Sequence, residues 1–179
     1  MLVIRKATAA DVPRILTLIK ELAEYEREPH QVIATEEDLL RDGFPAEPGR
    51  APAFHVLLVH DGDTATAPVG FALYFYSYST WNGRRCLFLE DLFVEPSHRG
   101  KGAGLALMRA LAREAVDARC MRFVWNVLDW NQPSIDFYER LGAKVLREWL
   151  TVRLEGDALA TLASAAGAER TGLRTTPEV

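Results

Sequence analysis

The sequence predicts an α/β fold: a central, mixed but mostly antiparallel, twisted sheet of about seven strands flanked by about four helices. Three observations carry this prediction. β-rich runs and helical apolar spacing follow one another in the order β-α-α-β-β-β-α-β-α-β-β. A β-rich run over 84–94 passes through Pro96 and a turn holding Gly100, Gly102 and Gly104 directly into an amphipathic helix. The chain has 179 residues, 49% hydrophobic and 26% charged, which is enough to bury one substantial core.

Each element has a local reason. Residues 2–6 are apolar and β-branched enough for a short first strand. Thr8-Ala9-Ala10-Asp11 has the form of a capping box, and Val12, Ile15, Leu16, Ile19, Leu22 and Ala23 then recur at helical spacing up to about Tyr25. Pro13 falls in the first turn, where its missing N–H costs little. Thr35-Glu36-Glu37-Asp38 opens a second helix in the same way, ending near Gly43. The segment 44–53 holds Pro45, Pro48, Gly49 and Pro52 and reads as a loop.

The runs 54–60 and 69–78 form a hairpin, and Trp81-Asn82-Gly83 turns the chain into the strand 84–94. A helix over 102–118 puts Leu105, Met108, Leu111, Ala112 and Ala115 on one face. Residues 123–128 form a short strand, and Asn131-Gln132-Pro133-Ser134 starts a helix that ends at Gly142. Two last strands are expected at 144–148 and 149–154. A domain over 1–155 is then followed by a short helix and a flexible tail over 156–179.

Composition narrows the function. A net charge of −4 argues against nucleic acid or an acidic membrane surface as partner. No apolar run is long enough to span a bilayer, no signal-peptide pattern opens the chain, and only Cys86 and Cys120 occur. A reduced cytoplasm is the expected setting. Cys86, inside an apolar strand, reads as a small buried hydrophobe. His30, His55, His60 and His98 lack metal-ligand spacing, so no metal is expected.

The glycine turn carries the chemistry. A strand-to-helix junction offers unpaired N–H groups and the positive end of a helix dipole to an anion, most naturally phosphate. Arg99 and Lys101 add mobile charge there. The dinucleotide pattern fails because Leu105 stands where its third glycine or alanine belongs, and no Gly-Lys-Ser/Thr string supplies a P-loop. What remains is Arg99-x-x-Gly102-x-Gly104 after Leu89-Glu90-Asp91, followed downstream by Asn131-x-Pro133-x-x-x-Phe137-Tyr138-x-x-x-Gly142.

These two strings resemble the acetyl-CoA loop and the catalytic helix of the GNAT superfamily of N-acetyltransferases. The order of elements resembles the GNAT fold along the chain. Leu18-Ile19-Lys20-Glu21-Leu22-Ala23-Glu24-Tyr25-Glu26, Gln31-Val32, Asp42-Gly43-Phe44 and Phe54-His55 are further similar to the diamine (spermidine/spermine) acetyltransferases. Tyr78-Ser79-Thr80-Trp81-x-Gly83-Arg84 and Val127-Leu128-Asp129-Trp130-Asn131-Gln132 look more like the thialysine N-epsilon-acetyltransferase branch.

The resemblance implies acetyl-CoA as co-substrate, a small amine as acceptor, and a homodimer. It assigns Leu92, Phe93 and Val94 to the pantetheine arm. Arg99, Gly100, Lys101, Gly102, Ala103, Gly104 and Leu105 go to the pyrophosphate, and Asn131, Pro133 and Ser134 to further cofactor contacts. Tyr25, Glu26, Glu90, Asp91, Val124, Trp125 and Asn126 are assigned to the amine, and Tyr138 to protonation of the departing thiolate.

An alkyl ammonium of pKa ~10.4 must lose a proton before it attacks. Glu90 and Asp91, adjacent in a strand, are expected on opposite faces, with Glu90 toward the cleft as the base, directly or through a water. A protein or peptide acetyltransferase and a non-catalytic acyl-CoA sensor remain as rivals. The first needs an open groove, and the second would retain the glycine loop while losing the acid or the base.

Overall fold

The computed structural model describes residues 1–169, with side chains described to residue 164. It divides into two compact units, 1–127 and 128–179, of which the second is described to residue 169.

The first unit contains the whole sheet. β1 (Leu2–Lys6), β2 (His55–Asp61), β3 (Gly70–Ser79), β4 (Arg84–Val94) and β5 (Phe123–Trp125) lie in the order β1-β2-β3-β4-β5. The first four run antiparallel in sequence, and β5 is parallel to β4. Five strands therefore replace the expected seven. The segments 144–148 and 149–154 are not strands: Leu150 is 85% and Val152 92% exposed. Their apolar alternation resembles a strand, but a strand needs a neighbour for its N–H and C=O groups, and the second unit contains none among its described residues.

α1 (Val12–Tyr25) and α2 (Glu36–Gly43) cover one face of the sheet. Val12, Ile15, Leu16, Leu18 and Leu39 pack there against Val56, Leu58, Phe71, Leu73 and Phe93. Both helices begin as the sequence predicts. Asp11 accepts from the Thr8 backbone N–H (2.8 Å) and hydroxyl (2.9 Å), and Asp38 accepts from Thr35 N (3.0 Å) while its own N–H meets Thr35 Oγ1 (3.2 Å). Arg5 grips Asp11 with two nitrogens at 2.8 and 2.7 Å and holds that carboxyl well below the usual range, tying β1 to the entry of α1.

α3 (Ala103–Asp117) covers the opposite face with Leu107, Met108, Leu111 and Ala115 buried. A polar clamp fixes its C-terminal half: Tyr76 Oη donates to Glu114 at 3.0 Å, and Lys6 Nζ lies 3.2 Å from the same carboxylate. Cys86 is buried, as its strand position predicts.

The second unit holds α4 (Gln132–Arg140) and α5 (Gly156–Glu169). α5, at 14 residues, is longer than the short helix expected, and the expected tail beyond residue 169 lies outside the described residues.

Gly70 sits where β3 meets the end of β4. A Cβ at this position would lie 2.5 Å from the carbonyl oxygen of Phe93 and 3.1 Å from Val94 Cα. Because the obstacle is backbone, relief requires parting the two strands. Gly70→Ala is expected to destabilise the protein by about 1–3 kcal/mol, read as a lower midpoint in chemical denaturation.

Candidate active site

β4 changes character halfway along. On one side β5 pairs with it only at Leu87↔Phe123, Phe88↔Val124 and Leu89↔Trp125, and then stops. On the other side the pairing with β3 slips at the same level: Tyr74 faces Leu89 but Leu73 faces Asp91, so Glu90 is the extra residue of a β-bulge. From residue 90 to 94, β4 has β3 alone as a strand neighbour. Apart from Val94 O, which accepts from Arg99 Nε, the backbone groups of residues 92–94 that point away from β3 have no strand partner among the described residues, and such an edge is the kind of surface to which an extended amide-containing arm adds.

That edge leads into the glycine turn. Residues 96–98 form a 3-10 turn, and the chain then passes Gly100 at φ 73° and Gly102 at φ 88°, left-handed values that favour glycine. Gly102 caps α3, leaving the N–H groups of Ala103, Gly104 and Leu105 without intrahelical acceptors. No acidic residue occupies this first turn, and a Cβ on Gly100 would meet nothing within 4 Å. Lys101 is exposed beside it. The donor set, dipole and open backbone fit a diphosphate.

Arg99 is anchored within the fold through part of its guanidinium. Its Nε donates to Val94 O at 2.9 Å, and its guanidinium lies 4.6 Å from the ring centre of Tyr25 and 5.4 Å from that of Phe93. It stacks between the end of α1 and β4 and so joins the predicted amine and cofactor regions.

The bulge replaces the regular strand alternation expected at Glu90 and Asp91. With Glu90 inserted, Asp91 pairs with Leu73 and shares with it and Phe93 the face that α1 covers. Glu90 is exposed, whereas Asp91 is partly buried and near Glu26, the residue that caps α1. Burial first, then the charges of Glu90 and Glu26, push the Asp91 carboxyl up to about 7. Burial also raises Glu26. Among the described residues none of these three carboxylates has an ion pair or a side-chain hydrogen bond.

On β5, Val124 and Trp125 are half-buried opposite Phe88 and Leu89, and Asn126 is exposed just beyond the strand. In the second unit Asn131 is buried and caps α4, its Oδ1 accepting from Ser134 N at 3.4 Å. Pro133 occupies the first turn. Tyr138 is buried on α4, with the Phe137 ring 5.3 Å away. Trp81 is 90% exposed at the β3–β4 turn.

Sequence reasoning named Asp91 only as a substrate contact and missed the bulge that sets it apart from Glu90. Two carboxylates in a run of apolar strand residues were the available signal, but nothing local marks where the register slips.

Comparison with known proteins agrees with this geometry. Residues 15–143 match the Acetyltransferase (GNAT) family. A thialysine N-epsilon-acetyltransferase from Sus scrofa is 42% identical over 168 residues, covering 89% of this chain and 96% of the relative. An L-ornithine N5-acetyltransferase from Arabidopsis thaliana is 32% identical, covering 87% and 85% respectively. Among solved structures, an integron cassette protein from the mobile metagenome of V. cholerae superposes with a TM-score of 0.71 at 28% identity, over 90% of this chain and 97% of that one. A family match over most of the chain, on a sheet whose fourth and fifth strands part beside a glycine-capped helix, establishes that this protein belongs to the GNAT family of acetyltransferases.

Proposed function

We propose that the protein transfers the acetyl group of acetyl-CoA to a primary amine of a small molecule, thialysine or a lysine-like or diamine compound. The observation that carries this reading is the coincidence, on β4, of a free backbone edge leading into the glycine turn with three unpaired carboxylates beside it. The relatives named for thialysine and ornithine supply the substrate class. Thialysine and ornithine both present an ammonium on a short alkyl arm, which such a carboxylate group attracts.

Acetyl-CoA brings an already activated thioester. The residues of this chain have three tasks. The edge at Leu92–Phe93–Val94 aligns the pantetheine arm, and the N–H groups of Gly102, Ala103, Gly104 and Leu105, with Lys101 and Arg99 beside them, hold the pyrophosphate. Asn131, Pro133 and Ser134 add contacts to the cofactor. Glu26, Glu90 and Asp91 draw in the ammonium, with Tyr25, Val124, Trp125 and Asn126 around its alkyl part.

Glu90, the exposed member, takes the proton through a water. Asp91 contributes to the attraction only when ionised. Tyr138 hands a proton to the departing thiolate. The protein works as a homodimer, a reading supported by the exposure of Trp149, Leu150 and Val152, at 69, 85 and 92%.

Release of CoA thiol from acetyl-CoA, assayed against thialysine, lysine, ornithine, putrescine, spermidine and a lysine peptide, tests the assignment. Turnover is expected with the small amines and not with the peptide; turnover confined to the peptide would overturn it. Glu90→Gln and Tyr138→Phe are each expected to lower kcat by about 10²–10⁴-fold while CoA binding, followed by calorimetry, persists.

Asp91 makes a separate pH prediction. Because its folded carboxyl titrates near 7, well above an unfolded aspartate, the folded state binds the extra proton between about pH 4 and 7. Stability is therefore lost as pH rises through that window. Asp91→Asn, neutral throughout, is expected to be more stable than the parent at pH 8, by on the order of 2 kcal/mol, and to lose that advantage below about pH 4. The same substitution should remove a limb near pH 7 from the kcat/KM profile for the amine. An unchanged profile would exclude Asp91 from amine capture.

A further inference from the structure

The glycine turn has little of its own to hold it in shape. Among the described residues, the backbone N–H groups of 97–101 make two backbone bonds, those of the 3-10 turn, His98 N to Glu95 O (2.9 Å) and Arg99 N to Pro96 O (3.2 Å). Gly100 and Gly102 are conformationally the freest residues in it. Arg99 anchors the turn through its side chain, on Val94 O and against Tyr25, and a second anchor lies where the turn leaves β4, at Glu95, whose N–H donates to Val69 O at 2.9 Å.

The Glu95 carboxylate is gripped by Arg14, which comes from the first half of α1. Arg14 uses its whole guanidinium: one terminal nitrogen on Glu95, the other 3.2 Å from Glu21, and Nε donating to Pro68 O at 3.0 Å. The side chains of Arg14 and Glu95 are each 24% exposed, so the pair is shielded enough to resist screening by water. The His98 ring lies 3.3 Å from Glu95 and 3.9 Å from Asp61, in the turn itself.

We propose that Arg14 is a positioning residue for the pyrophosphate turn. It locks the start of the turn to α1 and to the β2–β3 loop at once, and it neutralises Glu95. Without it, a carboxylate would stand uncompensated four residues before Arg99, where a diphosphate must approach. Both effects act on cofactor affinity and leave the amine pocket and the proton transfers alone. The inference rests on reading Arg99–Leu105 as the pyrophosphate turn.

Calorimetric titration of the full chain with CoA, beside steady-state kinetics with thialysine, tests it. If the parent protein does not bind CoA, the reading of the turn fails and the inference with it. If the parent binds, Arg14→Met is expected to raise the CoA Kd and the acetyl-CoA KM together by about tenfold, with kcat and the amine KM within about twofold of the parent. Arg14→Lys, which keeps the charge but cannot reach three acceptors together, should fall between the two, and serves as the test variant should Arg14→Met not fold. Arg14→Met/Glu95→Gln should bind CoA no more weakly than Arg14→Met alone, because the unpaired carboxylate is gone. An unchanged Kd in the Arg14 variants, or equal losses in amine KM and kcat, would overturn the proposal. So would a double variant whose loss is the sum of the two single ones.

Discussion

Everything at the functional end of the first unit depends on what happens to β4 at one level of the sheet. At Leu89 the strand is fully paired, with Tyr74 on one side and Trp125 on the other. One residue later it has lost β5 and slipped its register on β3. Hydrogen-bonding capacity that is not met inside the sheet faces outward over 90–93, before Arg99 takes Val94 O, and a strand edge of this kind seeks a partner. The same slip turns Asp91 toward α1. A free edge and an unneutralised carboxylate thus have one structural origin, the bulge at Glu90.

The rest of the unit supports that irregular strand with ordinary means. Two apolar faces clasp the sheet: α1 and α2 over Phe71, Leu73 and Phe93, and α3 over the other side. Charged contacts then set the angles at which the helices meet the strands. Arg5 with Asp11 fixes the entry of α1, Arg14 with Glu95 fixes the exit of β4, and Lys6 and Tyr76 with Glu114 fix α3. Glu26 and Asp91 differ from these paired acids: both are partly buried and near each other, with Glu90 next along the strand. Like charges brought together under partial burial lower stability, and such exceptions concentrate at functional sites.

Much of the local structure was legible. Thr8 with Asp11 and Thr35 with Asp38 mark helix starts because the capping contacts span three residues of sequence. Gly100 and Gly102 announce left-handed backbone because side chains disfavour it. The strand pattern at 144–154 misled for a related reason: alternation records a residue's fitness for a sheet and does not supply the neighbour that would complete one. Tyr138 is buried on α4, and the chemical role proposed for it comes only from resemblance.

The sequence by itself determined which segments are strands and helices in the first unit, where the glycine-capped anion turn lies, and which family's motifs the chain carries. All of these rest on interactions between residues a few positions apart. Tertiary structure alone decided that Asp91 and not Glu90 is the shielded carboxylate, that Arg99 stacks on Tyr25, and that Arg14 reaches Glu95, 81 residues away. Register slips and long-range ion pairs depend on how whole elements pack. That packing is settled by the summed burial of many side chains, and no short stretch of sequence records it.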